Sequence, residues 1–337
     1  MNVLYVSDEG YTPLLAASLE SLYKAHSKDE TINTYIISDD ISDLSREKLR
    51  LSALKYGRSL TFIPKPDVVS LVGTIPKLYK WCDNIFCRLF IPTCIKEDKI
   101  DRILYIDCDT IIKRSLADLW NMDLMGNYCA AGLECMGDLH KKLIGLAPQD
   151  PYYNSGVILI DLEKWKKYDI ENKCSSFLNQ YKDYLEYPDE AVLNGVLKGN
   201  IMTFPPEYNL TTLKCTFSFD ELRRYRKSRI MYSRAEYAYA LSNPAIIHYT
   251  ANFLIRRPWF EGEGEKHYFE KSFREAYMET AWKDELFKTE IVSTPKRMAR
   301  FFTYHNRSAG IFLFGFIYSY CKPLYRRVKQ IIRGYND

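Results

Sequence analysis

Short apolar runs rich in β-branched residues alternate along the chain with longer segments in which apolar residues recur at helical spacing. The short runs predict strands over residues 2–6, 31–37, 59–63, 103–106, 156–161 and 245–249. The amphipathic segments predict helices that begin after Gly10 and at Ser42 or Asp43, and others over residues 162–181 and 190–197. Such alternation favours an α/β protein whose mostly parallel sheet is covered by helices on both faces.

Two acidic residues stand at the end of one predicted strand, in the sequence RILYIDCDTII. In open α/β sheets ligands bind beyond the carboxyl ends of strands, so a site is expected in the loops after Val6 and Ile106. Asp107 and Asp109 are two residues apart, and in an extended segment their side chains point to the same side. Two convergent carboxylates suit Mg²⁺ or Mn²⁺, which in turn hold phosphate oxygens. The same pair is equally compatible with turn contacts or with a cap on the next helix.

A phosphatase of the haloacid-dehalogenase type is one class with such a pair, because DCDT fits its D-x-D-x-T motif. In that class the first aspartate attacks phosphorus and the second acts as acid and base. The class also needs a later G-D-x-x-x-D motif, whereas Gly137 and Asp138 are followed by LHKKL, with no second acid. The other class with this pair is the metal-dependent nucleotide-sugar transferases.

Composition narrows the kind of protein further. With 337 residues, 47% of them hydrophobic and 27% charged, the chain can bury a sizeable core and differs from disordered proteins. Its 27 tyrosines favour contacts with sugar rings or bases. The nine cysteines contain no C-x-x-C pair, which favours reduced thiols in the cytoplasm. We expect no signal peptide and no transmembrane helix, since the longest uncharged run, residues 308–321, is too short to span a bilayer.

The C-terminal segment is distinctly basic. From Lys296 to Asp337 it carries nine Lys or Arg and one acidic residue, while the whole chain has a net charge of +4. We therefore predict a catalytic domain over residues 1–292 and a basic, amphipathic helical extension over 293–337. Aromatic and basic side chains together suit an interfacial helix on anionic lipid. A helix pair that packs on the domain, or a nucleic-acid surface, would have a similar composition.

Six segments, in order, resemble glycosyltransferase family 8. They are YVSDEGY, FCRL, YIDCDTIIKRSLADLW, YYNSGVILIDLEKW, DEAVLN and HYTANFLIRRPW, and they cover roughly residues 1–260. The pattern is similar to that of bacterial galactosyl- and glucosyltransferases that build lipopolysaccharide and capsule. The resemblance implies a GT-A fold, a UDP-hexose donor, a divalent metal, and transfer that retains the anomeric configuration.

The resemblance also implies a metal site. Asp107 and Asp109 match the metal-binding pair of the family, and His248 matches its third protein ligand. One imidazole with two carboxylates shifts the preference from Mg²⁺ toward Mn²⁺. Without the resemblance, a single histidine at the end of an apolar run is more simply interpreted as a core residue with a satisfied ring.

A nucleotide-binding loop is implied at the end of the first strand. By resemblance, Asp8 and backbone groups of the loop bind the uracil edge, and the Tyr11 ring stacks on the face of the base. Tyr11 is otherwise interpreted as an aromatic residue that packs on the sheet at a helix start. The residues expected to contact UDP in this region are Val6, Ser7, Asp8, Tyr11 and, between the paired acids, Cys108.

Two further segments match positions that contact the donor sugar. By resemblance, Arg88 faces the sugar and the acidic pair, although a plain salt bridge to Asp107 would also explain it. The N-[AS]-G segment that contacts the sugar corresponds to Asn154, Ser155 and Gly156, where glycine permits a close approach of the backbone.

The loop HYTANFLIRRPW differs from its counterpart in relatives, which carry a glycine and a lysine that grip the diphosphate. It is three residues longer and has Ala251 and Asn252 in place of Gly-Pro. Arg257 is expected to inherit the phosphate contact, because guanidinium binds phosphate bidentately, and Arg256 is the alternative.

Two adjacent acids match the catalytic positions of the family. Asp189 is expected to bind sugar hydroxyls, and Glu190 occupies a position beneath the anomeric carbon that is often glutamine in relatives. A carboxylate there is either a covalent nucleophile or a stabiliser of an oxocarbenium-like transition state. We favour the stabiliser, because the family works with a neutral amide at this position. The pair would otherwise serve as dipole-compensating acids at a helix start.

The expected function is therefore transfer of galactose or glucose from UDP to a lipid-linked or cell-surface glycan, with Mn²⁺ or Mg²⁺ as cofactor. We expect no nucleic-acid partner, and a peripheral position on the inner face of the cell membrane through the C-terminal extension. A D-x-D phosphatase and a non-catalytic sugar-binding relative are the alternatives.

Overall fold

A seven-stranded sheet forms the centre of the computed structural model, which describes residues 1–26, 30–72, 83–96, 100–181 and 185–333. The strands in chain order are β1 (Asn2–Val6), β2 (Asn33–Ile37), β3 (Leu60–Ile63), β4 (Arg102–Ile106), β5 (Thr110–Ile112), β6 (Cys129–Leu133), β7 (Tyr153–Asp161), β8 (Ile201–Thr203), β9 (Leu210–Thr211), β10 (Ile246–His248), β11 (Ile255–Arg256), β12 (Phe260–Glu261), β13 (Glu265–Lys266) and β14 (Lys288–Thr289). The central sheet has the spatial order β3-β2-β1-β4-β7-β6-β8.

Strand β7 makes this sheet mixed. It pairs antiparallel with both β4 and β6, whereas the other neighbouring pairs of the central sheet are parallel. The expected mixed, mostly parallel sheet is thus confirmed. Strand β6 was not predicted, because the three central residues of its sequence CAAGL are small alanines and a glycine with little β-propensity.

Helices cover both faces of the sheet. They are α1 (Thr12–Lys24), α2 (Asp43–Lys55), α3 (Val68–Val72), α4 (Ile91–Cys94), α5 (Ala117–Trp120), α6 (Asp138–Leu143), α7 (Leu162–Lys167), α8 (Ile170–Tyr181), α9 (Pro188–Val196), α10 (Thr212–Thr216), α11 (Phe219–Arg226), α12 (Arg234–Ser242), α13 (Glu270–Tyr277), α14 (Thr294–His305), α15 (Arg307–Phe316) and α16 (Lys322–Arg333). Successive residues of β1 enter opposite cores: Leu4 packs in one, Val3 and Tyr5 in the other.

Local features explain the start of α2 and the break between α7 and α8. Ser42 caps α2, since its side chain accepts a hydrogen bond from the Ser45 amide, which confirms one of the two predicted starts. The single helix predicted over residues 162–181 is wrong. Two helices, α7 and α8, occupy that stretch, and between them Asp169 has a left-handed backbone with φ of 54° that no continuing helix tolerates.

A second, three-stranded sheet brings distant segments to the end of β4. Strand β10 pairs antiparallel with β5 and parallel with β9. The register sets His248, the last residue of β10, opposite Thr110, which directly follows Asp109. The Tyr249 amide also donates to the Asp109 carbonyl over 2.9 Å. The chain is thereby held so that the imidazole and the paired acids meet.

The C-terminal helices pack on the rest of the protein. The buried Arg300 of α14 donates to the carbonyl oxygens of Phe253 and Glu263, and the ring of His140 in α6 bonds the carbonyl oxygen of Tyr318. A π-helical turn, Ile317–Cys321, joins α15 to α16. Among the described residues we find no helix with the length and apolarity needed to cross a bilayer. The division at residue 292 stays a prediction.

Candidate active site

Asp107, Asp109 and His248 form a cluster at the carboxyl end of β4. One ligand atom of each lies within 4.8 Å of those of the others. The His248 Nε2 atom is 3.2 Å from Asp109 Oδ1 and 3.6 Å from Asp107 Oδ2. Two adjacent ligands of an octahedral ion, each about 2.1 Å from it, lie about 3 Å apart. The donor set therefore fits a divalent cation with little rearrangement.

The two carboxylates differ in their surroundings. Burial raises the pKa of Asp107, although the Arg88 and His248 side chains act against it. Burial acts in the same direction on Asp109, but His248 and Arg257 outweigh it and lower the pKa of that carboxyl. Tyr105 donates a hydrogen bond of 2.6 Å to Asp107 Oδ1, which holds this carboxylate in place. A cation at the cluster would favour the ionised form of both acids.

Arg88 connects the cluster to a third acid. Its guanidinium lies 2.9 Å from Asp107 Oδ1 and 3.2 Å from Asp189 Oδ2, and it donates to the Ser155 carbonyl over 3.0 Å. The Ser155 hydroxyl donates to the same Asp189 oxygen over 2.7 Å. The salt bridge to Asp107 is thus present, but it is one part of a larger set of contacts that joins the acid-acid-histidine cluster to the start of α9.

The predicted nucleotide loop lies beside the cluster. Asp8 accepts a hydrogen bond of 2.9 Å from the Tyr11 amide, and the Ser7 hydroxyl is buried and donates to the Asp8 carbonyl. The thiol of Cys108 is buried and donates to the Val6 carbonyl over 3.1 Å, which ties the loop to the acidic pair. The Tyr11 side chain is 41% exposed, so its ring retains a free surface.

The two candidate arginines of the 250–257 loop take different positions. Arg256 is buried, donates to the Gly262 carbonyl and lies 3.6 Å from a carboxylate oxygen of Glu270. Arg257 instead lies near the Tyr11 hydroxyl and near Asp109, and its positive charge acts to lower the pKa of both groups. Of the two, Arg257 is the one near the predicted nucleotide loop and the acid-acid-histidine cluster.

Glu190 is buried near the start of α9. Its Oε2 atom accepts a hydrogen bond of 2.9 Å from the side-chain NH₂ group of Asn154. Burial raises the pKa of Glu190 well above its ordinary value, and the nearby charges of Glu134 and Asp189 act in the same direction. The carboxyl therefore favours its neutral form in this environment.

Two buried residues of the site were not predicted from the sequence. Asn209 is fully buried and hydrogen-bonded to both His248 and Asn154, and Glu134 lies close to Glu190. Neither belongs to a short motif with known chemistry, and both lie far along the chain from their partners. Only a knowledge of the β5–β10–β9 and β6–β7 pairings brings them to the site.

Comparison with known proteins agrees with this arrangement. A central mixed sheet with an acid-acid-histidine cluster beyond it is the arrangement expected of a glycosyltransferase with the GT-A fold. The family model for "Glycosyl transferase family 8" matches residues 2–262, and the chain belongs to that family. The galactosyltransferase LgtC, solved in complex with donor and acceptor sugar analogues, superposes with a TM-score of 0.68 at 24% identity, covering 88% of this chain and 99% of LgtC.

Among curated relatives, a lipopolysaccharide 1,2-glucosyltransferase of Escherichia coli K12 is 26% identical over 336 residues, which are 97% of this chain and 92% of the relative. A protein of Haemophilus influenzae is 32% identical over 216 residues, so the alignment spans 63% of each chain, a little less than two thirds. Membership of a glycosyltransferase family disfavours the phosphatase alternative.

Proposed function

We propose that the chain is a retaining, divalent-metal-dependent hexosyltransferase, which moves galactose or glucose from a UDP-sugar to a lipid-linked or cell-surface glycan. The supporting observation is the contact of Arg88 with both Asp107 and Asp189. A diphosphate held at the acid-acid-histidine cluster would place its sugar beside the acids at the start of α9. Metal site and sugar site are then parts of one site.

The donor would be held from several sides. Asp8 and the exposed ring of Tyr11 would bind the uracil, and Arg257, beside Tyr11 and Asp109, would contact the diphosphate. When bound, Mn²⁺ or Mg²⁺ would neutralise the diphosphate and stabilise UDP as it departs. Asp189, held by Arg88 and Ser155, would accept hydrogen bonds from sugar hydroxyls.

Glu190 would stabilise the transition state without forming a covalent bond. Its raised pKa supports this assignment, because a neutral carboxyl resembles the neutral amide that relatives carry at the position. Intact-protein mass spectrometry with a slow fluorinated donor tests it. We expect no glycosyl adduct, and an adduct that persists on Glu190 would establish the nucleophile instead.

A lipid-linked acceptor at a membrane is supported by the C-terminal helices. The surface of α14 to α16 exposes large apolar side chains, namely Phe301, Phe302, Phe312, Leu313, Phe316, Ile317, Leu324, Tyr325 and Val328. A groove of about 660 Å³ near these helices is lined by Arg223, Arg224, Lys227 and Arg229. The Lys227 ammonium lies over the rings of Phe312 and Tyr320, so the basic and apolar surfaces are continuous. Such a surface suits the cytoplasmic face of an anionic membrane.

A panel of nucleotide sugars would identify the donor. The full-length protein is incubated with each sugar and Mn²⁺, and the released nucleoside diphosphate is measured. We expect UDP-galactose or UDP-glucose to be turned over in a reaction that chelation of the metal abolishes. Turnover of simple phosphate monoesters without any UDP-sugar reaction would favour a phosphatase.

A further inference from the structure

Asn209 lies between the metal cluster and Glu190. It ends a short 3₁₀ turn, Pro206–Asn209, and is fully buried. Its Oδ1 atom is 3.0 Å from His248 Nδ1, and its Nδ2 atom donates to Asn154 Oδ1 over 2.8 Å. The side-chain NH₂ group of Asn154 in turn donates to Glu190 Oε2 over 2.9 Å. An unbroken series of side-chain hydrogen bonds thus runs from His248 to Glu190.

The direction of every bond in this series follows from a single backbone group. The Gly156 amide donates to Asn154 Oδ1 over 3.0 Å, and a backbone N–H can only donate, so this atom is the oxygen of Asn154. Asn209 must then present its NH₂ group to that oxygen, which turns its own oxygen toward His248. An amide oxygen only accepts, so His248 Nδ1 carries the proton. In the neutral ring Nε2 then carries the lone pair, and because this atom faces Asp107 and Asp109 it is the nitrogen available to a cation.

We propose that Asn209 is a positioning residue that holds His248 in its metal-binding tautomer and couples it, through Asn154, to the orientation of Glu190. The inference rests on the proposed metal site and deepens it. A hydrogen bond to the remote nitrogen of a ligating histidine fixes the ring and raises its basicity. Displacement of His248 would also disturb the Asn154 side chain that donates to Glu190, because Asn209 is bonded to both His248 and Asn154 and both asparagines are buried.

Two substitutions separate the two contacts of Asn209. Asn209→Ala removes both. Asn209→Asp keeps an acceptor for His248 Nδ1 but replaces the NH₂ group that donates to Asn154. Asn127→Ala is the matched control, since the Asn127 amide caps a turn at Leu124 and belongs to none of these contacts. The full-length proteins are compared by calorimetric titration with Mn²⁺ alone and by steady-state kinetics.

For Asn209→Ala we expect the Mn²⁺ affinity to fall about 10- to 100-fold. For Asn209→Asp we expect an Mn²⁺ affinity at least equal to that of the wild type, because a carboxylate is a stronger acceptor for His248 Nδ1–H than an amide oxygen. We also expect kcat to fall about tenfold or more with donor KM unchanged, because the bond to Asn154 is lost. Wild-type affinity in the folded Asn209→Ala protein would overturn the proposal. If that variant does not fold, Asn209→Asp decides, and either weakened Mn²⁺ binding or an unchanged kcat would overturn it.

The same experiment distinguishes failure of this inference from failure of the proposed function. If the wild-type protein binds no Mn²⁺, the metal site and the inference fail together. If it binds Mn²⁺ but no UDP-sugar is turned over, the hexosyltransferase proposal fails, while the affinities of the Asn209 variants still decide whether this residue positions His248.

Discussion

A Cβ atom at Gly156 would lie 2.2 Å from Cε1 of His248, which is a severe steric clash between two non-bonded carbon atoms. It would also lie 2.7 Å from Asp107 Oδ2. Gly156 belongs to the buried strand β7, and its carbonyl oxygen accepts a hydrogen bond of 2.8 Å from the Asp107 backbone amide. The backbone of Gly156 therefore has little freedom to move away from His248. Glycine at this position leaves room for the imidazole and for the carboxylate beside it.

Gly156→Ala is therefore predicted to displace His248 from the cluster and to weaken Mn²⁺ binding. Loss or misplacement of one ligand should lower the affinity at least as much as loss of an outer hydrogen-bond partner, about 10- to 100-fold. Titration with Mn²⁺ measures the effect. Gly126→Ala is the control, because Gly126 has a left-handed backbone with φ of 85° and no neighbouring atom within 4 Å. It should cost some stability but leave Mn²⁺ affinity unchanged.

Arg88→Lys is predicted to lower kcat about 100-fold while leaving one positive charge near the acids. A lysine ammonium cannot bond Asp107, Asp189 and the Ser155 carbonyl from one planar group as the guanidinium does. Steady-state kinetics with the donor identified by the panel gives the result. A variant with wild-type kcat would show that charge alone suffices at position 88.

Glu190→Gln is predicted to stabilise the fold increasingly as pH rises. Because the pKa of Glu190 is raised by burial, with Glu134 and Asp189 adding to the effect, the folded state holds the proton more tightly than the unfolded state. Stability of the wild type consequently falls as pH rises above the unfolded pKa, by at most about 1.4 kcal/mol per pH unit, until the folded pKa is reached. Glutamine does not titrate and escapes this loss.

Thermal unfolding of both proteins between pH 5 and pH 8 measures this difference. The melting temperature of Glu190→Gln relative to wild type should be higher at pH 8 than at pH 5. Glu163→Gln, at an exposed position of α7, controls for the loss of one negative charge. A constant difference across this range would contradict the raised pKa.

The double substitution Phe312→Ser with Phe316→Ser is predicted to weaken binding to anionic vesicles at least about tenfold. Phe312 is 65% exposed and Phe316 45%, and complete insertion of such a ring in lipid contributes about 1.5–3 kcal/mol. Sedimentation with phosphatidylglycerol vesicles measures the bound fraction. Leu51→Ser with Leu54→Ser on α2 is the matched control, because both leucines are exposed far from the basic extension in sequence. Equal binding of the two double variants would contradict a membrane role for the C-terminal helices.

The elements of the fold that could be predicted from the sequence are those whose causes lie within a few residues of one another along the chain. The strands with β-branched runs, such as β1 and β4, and the cap at Ser42 were predicted because their causes are local. The break at Asp169 was missed, since the amphipathic pattern continues across it.

In the candidate site, too, the residues with a local sequence signal were predicted and those brought in by long-range contacts were not. Asp107 and Asp109 stood out as a local pair, but His248 was assigned from the family resemblance, and no local pattern connects it to them. Asn209 was not found because an asparagine in a proline-rich turn has many ordinary explanations. Its importance arises from hydrogen bonds to His248 and Asn154 that exist only in the folded chain.

The central claim is that the acid-acid-histidine cluster holds a metal that activates a UDP-sugar. It is tested most directly by Mn²⁺-dependent release of UDP from UDP-galactose and UDP-glucose, with wild type compared to Asp109→Ala in the same assay. We predict release by the wild type that requires Mn²⁺ or Mg²⁺ and that falls to background in the variant. Release that persists in Asp109→Ala, or that continues undiminished after chelation of the metal, would contradict this account.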